Sequence, residues 1–143
     1  MRVFKTFDEL NDAAGADLGT SEWLEIDQAR VDRFGEATKH EHWMHCDPAR
    51  ATADGPYGGT IAHGFLILSF TSHFVDVCGL RPADSRFALN YGVDKVRFLA
   101  PMVVGEGFRL RDRITLLEAE PRPKGLFTRV SHQFEIDGLE KQP

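Results

Sequence analysis

The chain has 143 residues, with 42% hydrophobic residues, 27% charged residues and a net charge of −5 when histidine is neutral, which is ordinary for a globular protein. Its length predicts a single domain over residues 1–143. The negative charge argues against nucleic-acid or anionic-membrane partners, and no stretch reaches the roughly 20 apolar residues of a membrane span. The N-terminus lacks the apolar core of a signal peptide. Cys46 and Cys78 fit neither a disulfide framework nor zinc-ligand spacing, so we predict a cytoplasmic protein with reduced thiols.

Short helical and strand patterns occupy the first part of the chain. Phe7 to Leu10 open a short helix that Gly15 is expected to end, and a strand is predicted around Trp23 to Ile26. Asp27 is placed to cap a second helix, whose apolar residues recur near helical spacing: Ala29, Val31, Phe34 and Ala37. Pro48 predicts one more short helical turn, and the glycines between positions 55 and 59 predict a loop.

One long helix is predicted from Ala62 to about Cys78, ended by Gly79 and Pro82. At 100° per residue its apolar side chains cover more than half of the circumference. A helix that is apolar over such a wide arc is expected to be wrapped by other structure.

The second half of the chain changes to the period of a β-strand. Alternating apolar residues run from Phe87 to Val93 and then shift phase at Val96, which predicts one long strand with a bulge near Gly92. Two further strands are predicted, Phe108 to Leu116 and Leu126 to Ile136, on either side of a turn from Pro121 to Gly125. The expected fold is therefore α+β, with a curved antiparallel sheet around the long helix.

A candidate site lies where this helix begins. The stretch from Trp43 to Phe70 places His45 in a polar segment before a glycine-rich turn, and Gly64 at the start of the helix. A glycine there lets a ligand approach N–H groups that lack an intrahelical partner. Those N–H groups suit an oxygen that is gaining negative charge, and the histidine is suited to acid–base work.

Three segments, GPYGGTIAHGFLILSF, WMHCDP and NYGVDKVRFLAPMVVGE, resemble the MaoC-like, (R)-specific enoyl-CoA hydratase family of hotdog-fold proteins. The resemblance runs from about Gly35 to about Gly107. It implies a long helix wrapped by a curved sheet and a homodimer with active sites near the subunit interface. It also implies hydration of a trans-2-enoyl thioester to a (3R)-hydroxyacyl thioester, a reaction type of fatty acid metabolism. The acyl group would be carried by coenzyme A or by an acyl carrier protein, and no separate cofactor is expected.

The family motif has an Asp followed five residues later by a His, which together hold the water that is added. Here the His position is His45, whereas the Asp position is occupied by His40. The resemblance gives Gly64 the role of N–H donor to the thioester oxygen. Two interpretations of His40 stay open: its imidazole takes part in catalysis, or it only occupies the position of the lost Asp. Glu41 is the nearest carboxylate that could take the place of the Asp.

Four further positions are candidates for substrate binding: Ala62, His63, Asn90 and Tyr91. For His63 the alternative is a helix-start residue bonded to backbone, and for Asn90 and Tyr91 it is ordinary strand packing. The arginines at 109, 111 and 113 would meet coenzyme A phosphates or else form a solvated strand face, and we favour the solvated face. We predict no metal site, because the clustered histidines lack carboxylate or cysteine ligands at metal spacing.

Two alternatives to a hydratase stay open at this stage: a protein that binds acyl-CoA without efficient turnover, and a thioesterase. Fold alone does not separate them. The family sheet normally continues beyond FEIDGLEKQP, so we expect either a truncated polypeptide or a sheet completed in another way.

Overall fold

The computed structural model describes residues 4–105 and 109–139. Within these ranges the helices are α1 (Phe7–Asp12), α2 (Gln28–Thr38), α3 (Trp43–Cys46), α4 (Pro48–Asp54) and α5 (Gly64–Val77). The strands are β1 (Asp17–Thr20), β2 (Leu24–Glu25), β3 (Arg109–Arg122) and β4 (Gly125–Ile136). None of the described helices is both long and apolar enough to cross a membrane.

The described residues fall into two compact units. One is formed by residues up to 22, 71–96 and 111–134, and the other by residues 23–70, 97–110 and 135 onward, where these are described. The prediction of one domain stays a prediction.

The first unit contains α1, β1 and most of the β3–β4 hairpin. Thr6 caps α1 through its side chain, which accepts from the N–H of Glu9. The strand β1 pairs antiparallel with β3, from Asp17 opposite Thr115 to Thr20 opposite Arg113. The buried core of this unit consists of Phe4, Leu10, Ala13, Leu18, Phe74, Cys78, Leu80, Ile114 and Leu116.

The second unit contains β2, α2, α3, α4 and the first half of α5. Asp27 caps α2 as predicted, accepting from the N–H of Arg30. The strand β2 pairs with the start of β3, Leu24 opposite Leu110. Its buried apolar residues are Ile26, Val31, Ala51, Ala62, Leu66, Phe70, Met102, Leu110 and Ile136.

The long helix is confirmed within two residues at each end. Its buried side chains are spaced four apart, at Leu66, Phe70 and Phe74, and Cys78 directly after the helix continues this line. Phe65 and Val77 are exposed. In the single chain the helix therefore buries one stripe instead of the wide arc that its composition predicts.

The predicted strand with a bulge between residues 87 and 98 is wrong for the single chain. These residues have no strand assignment, and the alternating side chains of Phe87, Leu89, Tyr91 and Val93 are all exposed. Alternating apolar side chains show that a segment is compatible with a half-buried β-strand. A strand forms only where a neighbouring strand pairs with it. The hairpin was predicted correctly, although its turn is shorter, Pro123 and Lys124. Phe108, the predicted start of β3, lies outside the described residues.

Two arginines of β3 are ion-paired. The guanidinium group of Arg109 donates to Asp137 from Nε at 2.9 Å, and that of Arg113 donates to Asp17 from Nε at 3.0 Å. These partners support the interpretation of a solvated strand face.

Candidate active site

The candidate site lies in the second unit, where the loop after α2 meets the segment before α5. Lys39 ends α2 in the left-handed conformation, with φ of 60°, and the N–H of His40 then donates to the carbonyl of Gly35 at 2.8 Å. A Cβ on Gly35 would lie 2.9 Å from Sγ of Cys46 and 3.3 Å from the carbonyl oxygen of His40. Only glycine at this position lets the helix approach the loop so closely.

The helix α3 is tied to the segment before α5 by backbone bonds. The N–H of Ile61 donates to the carbonyl of Met44 at 2.9 Å. Gln28 adds a side-chain bond, since its amide donates to the carbonyl of His45 at 2.7 Å and its oxygen accepts from the hydroxyl of Thr60. These contacts fix the backbone on both sides of the histidines.

Two of the predicted site residues stack directly on each other. The rings of His45 and His63 lie 3.8 Å apart between centroids, and the ring of His40 lies 5.5 Å from the first and 5.4 Å from the second. His63 is buried, His45 is half-buried and His40 is exposed. The structure thus brings together three predicted residues that are up to 23 positions apart in the chain.

The tautomers of the two stacked rings follow from their bonds. Nδ1 of His45 lies 2.7 Å from the carbonyl oxygen of Ile61, and Nε2 of His63 lies 2.9 Å from that of His40. A carbonyl oxygen only accepts, so each of these nitrogens carries the proton. The free lone pairs are therefore on Nε2 of His45 and Nδ1 of His63.

The environment of His45 favours a neutral ring. Burial lowers its pKa, the hydrogen bond to Ile61 raises it, and the neighbouring rings of His63, His40 and His42 lower it further. A neutral imidazole with a free Nε2 is the form that accepts a proton.

Gly64 is the first residue of α5, directly after the stacked His63. Among the described residues no acceptor lies on its N–H, as expected for the first turn of a helix. The ring of Phe98 covers it, because a Cβ on Gly64 would lie 3.2 Å from three ring atoms. Phe98 is 52% exposed, so its ring has room to move aside.

The other predicted positions have simpler surroundings. Ala62 is buried, and its N–H donates to the carbonyl of Met102 at 2.8 Å. Glu41 is exposed, and within the described part of the chain no hydrogen bond joins its carboxylate to the histidines. Asn90 and Tyr91 belong to the first unit: the amide of Asn90 donates to Ser72, and Tyr91 packs edge-on against Phe127. Their role in substrate binding stays a prediction.

Two features of the site escaped sequence reasoning. Nδ1 of His42 accepts from the N–H of Met44 at 3.3 Å and caps α3, a role typical of Asn, Asp or Ser. The stacking of His45 on His63 also had no local signal, because it depends on how two distant segments pack.

Neither cysteine supplies a reactive thiolate. Both are free thiols, as predicted. Burial raises the pKa of Cys46 and, more strongly, that of Cys78 to about 11. A thiol with such a pKa is a poor nucleophile near neutrality.

The sequence of this chain is similar to a protein family and to individual known proteins. The family model described as MaoC like domain matches residues 9–118. Nodulation protein N of Rhizobium leguminosarum bv. viciae is 43% identical over 110 residues, covering 76% of this chain and 66% of that protein. The 3-hydroxyacyl-thioester dehydratase Z of Mycobacterium tuberculosis is 39% identical over 146 residues, covering 99% of this chain and 91% of that protein.

Solved structures give the fold. The monoamine oxidase regulatory protein from Archaeoglobus fulgius superposes with a TM-score of 0.68 at 22% identity, over 94% of this chain and 84% of that one. The (R)-hydratase from A. caviae superposes with a TM-score of 0.56 at 22% identity, over 82% of this chain and 86% of that one. The chain has the α+β hotdog fold that was predicted.

Proposed function

Because this chain belongs to the MaoC-like family, we propose that it is a lyase that adds water to trans-2-enoyl-CoA and gives (3R)-hydroxyacyl-CoA, or catalyses the reverse dehydration. The observation that carries the proposal is the stacking of His45, with Nε2 free, on the residue directly before the N-terminus of α5. The proton acceptor on α3 is therefore held against the segment whose next residue, Gly64, carries an N–H with no acceptor among the described residues. The name of the mycobacterial relative supports the thioester substrate class.

The chemistry divides between these groups. Nε2 of His45 accepts a proton from the water as its oxygen bonds to the β-carbon, and the resulting imidazolium delivers that proton to the α-carbon, which returns His45 to its neutral form. The electron pair of the double bond moves toward the thioester carbonyl meanwhile, and the N–H of Gly64 stabilises the charge on that oxygen. His40, in the position of the family Asp, is the second side chain available to hold the water.

We propose no cofactor besides the carrier on the substrate, coenzyme A or an acyl carrier protein. We also propose a homodimer, supported by the exposed apolar side chains between Phe87 and Val93, since several large apolar side chains exposed in one segment are typical of an interface. Cytoplasmic location stays a prediction.

A second candidate, an acyl-CoA-binding protein that turns over poorly, is favoured by one observation. An imidazole replaces the carboxylate that the family uses beside the catalytic His, and Glu41 does not take its place. An exposed imidazole holds the water with different geometry and charge.

Loss of the enoyl absorbance of crotonyl-CoA, in the presence of a chelator, measures hydration directly. We expect His45→Ala to lower the rate at least about 100-fold, the scale of general acid–base catalysis. We expect His40→Asp to raise it, because the substitution restores the carboxylate. His73→Ala, an exposed histidine on α5, is the matched control and should behave as the wild type.

The other outcomes are equally informative. Unchanged turnover in His45→Ala would remove this residue from the mechanism. Absence of hydration together with a ligand-induced rise in Tm would select the binding protein, and release of free coenzyme A thiol would select a thioesterase.

A further inference from the structure

We propose that His40, His45 and His63 form a binding site for a divalent transition-metal ion of the zinc class, with one coordination position left open. Each ring offers a nitrogen, and these three nitrogens lie within 4.8 Å of one another. The inference goes beyond the proposed hydratase activity and does not depend on it. It also revises the expectation of no metal, which rested on sequence spacing alone and did not include His63.

The first argument is an unpartnered nitrogen in the interior. His63 is only 4% exposed, and its Nε2 is committed to the carbonyl of His40. Its Nδ1 is buried and has no hydrogen-bond partner among the described residues. A buried acceptor left unpaired destabilises the fold, so this lone pair is available to a ligand.

The second argument is the way in which the two stacked rings are held. Each donates its N–H to a backbone carbonyl, His45 to Ile61 and His63 to His40. Metal-binding histidines are held in this manner, because the bond from the second nitrogen fixes the tautomer and the ring orientation. Both rings are thereby held in a tautomer that leaves one lone pair available.

His40 completes the set from the exposed side. Three histidines with a water in the fourth position are an established zinc arrangement. Nitrogens bound to one zinc ion at about 2.0–2.1 Å lie roughly 3.3 Å apart, so the cluster must contract slightly from its present spread. The exposed ring of His40, which follows the left-handed turn at Lys39, can make this movement. The half-buried ring of His45, whose plane lies 27° from that of His63, must also turn for both lone pairs to point at one ion.

Titration with Co²⁺ reports coordination directly. The full chain is purified without an added histidine tag, treated with chelator and desalted before the titration. We expect the intense visible absorption of tetrahedral Co²⁺ to saturate at one equivalent and to be displaced by Zn²⁺. His40→Ala and His45→Ala should each weaken affinity at least about 10-fold, the lower end of losses seen even for outer-shell changes. His73→Ala is the control and should keep the wild-type affinity.

Three results would overturn the assignment. The first is the absence of a tetrahedral Co²⁺ spectrum in the wild type. The second is an unchanged spectrum and affinity in His40→Ala, whose exposed position removes any concern about folding. The third is a thiolate-to-cobalt charge-transfer band, which would place Cys46 among the ligands. Because hydration is assayed in chelator, a failed hydratase assay leaves the cobalt result unaffected.

Discussion

At the scale of single residues, Gly64 shows how one position serves both the fold and the chemistry. Its N–H begins α5 with no acceptor in the part of the chain that the structure describes, and the ring of Phe98 lies where a side chain would project. A substrate oxygen that bonds this N–H must approach the backbone closely, which the absence of a Cβ allows. We therefore expect a substitution of Gly64 to lower the activity while changing the free energy of unfolding little.

We expect Gly64→Ala to lower kcat/KM for crotonyl-CoA at least about 10-fold, because the added methyl group shields the oxyanion donor. The free energy of unfolding should change by less than about 1 kcal/mol, since better helix propensity offsets the displacement of Phe98. Urea unfolding and enoyl absorbance measure the two effects. His73→Ala, an exposed position on the same helix, is the control, and full activity in Gly64→Ala would exclude the proposed role.

The residues of the site differ in how far the sequence could identify them. His45, His40 and Gly64 were identified because a motif fixes their positions. A backbone bond was one of the two interpretations of His63, but its partner could not be predicted, because the contact with the carbonyl of His40 joins segments 23 positions apart. Spacing in the sequence groups only histidines that are close together along the chain. His63 joins them through the packing of two distant segments, which only the structure shows.

At the scale of elements, the β3–β4 hairpin contains an exception to its own pattern. The buried phase of β3 consists of Leu110, Asp112, Ile114 and Leu116. Asp112 is fully buried, and one carboxylate oxygen lies 2.5 Å from Nδ1 of His132 on β4 while the other has no partner among the described residues. Burial raises the pKa of Asp112, although the hydrogen bond from His132 opposes this shift. Asp112 on β3 and His132 on β4 each occupy a position where the alternation would place an apolar residue. These two polar residues are the signal that would have predicted the pair.

We expect Asp112→Ala to lower the free energy of unfolding by about 1–3 kcal/mol, because it leaves the His132 N–H without its acceptor and opens a small cavity. Asp54→Ala is the matched control. Its exposed pair with Arg50 should contribute less than about 1 kcal/mol. Chemical unfolding followed by circular dichroism measures both, and equal losses would mean that burial of the pair adds nothing.

At the scale of the whole molecule, the segment from Phe87 to Val93 has alternating apolar side chains that the described part of the single chain leaves exposed. Its alternation is that of a strand, yet Leu89 is 81% exposed and Tyr91 is 91% exposed. A sequence records which face is to be buried, but it does not record whether the covering surface belongs to the same chain.

We expect Leu89→Asp to convert a dimer into a monomer, because a charge in an apolar interface loses its hydration without gaining a partner. Light scattering after size-exclusion chromatography gives the mass. Leu117→Asp places the same charge at another exposed leucine and should leave the dimer intact. A wild-type monomer at micromolar concentration would contradict the proposed homodimer.

The two proposals meet at His45, because a metal ion and a water proton would use the same Nε2 lone pair. If both are correct, Zn²⁺ must inhibit hydration of crotonyl-CoA, and chelator must restore the rate. We expect at least about 10-fold inhibition once zinc reaches ten times its dissociation constant, since the metal-free fraction then falls to about one tenth. Mg²⁺, which prefers oxygen ligands, is the control and should leave the rate unchanged. A rate that rises with Zn²⁺ would mean that metal-bound water is the nucleophile, and it would replace His45 as the proton acceptor.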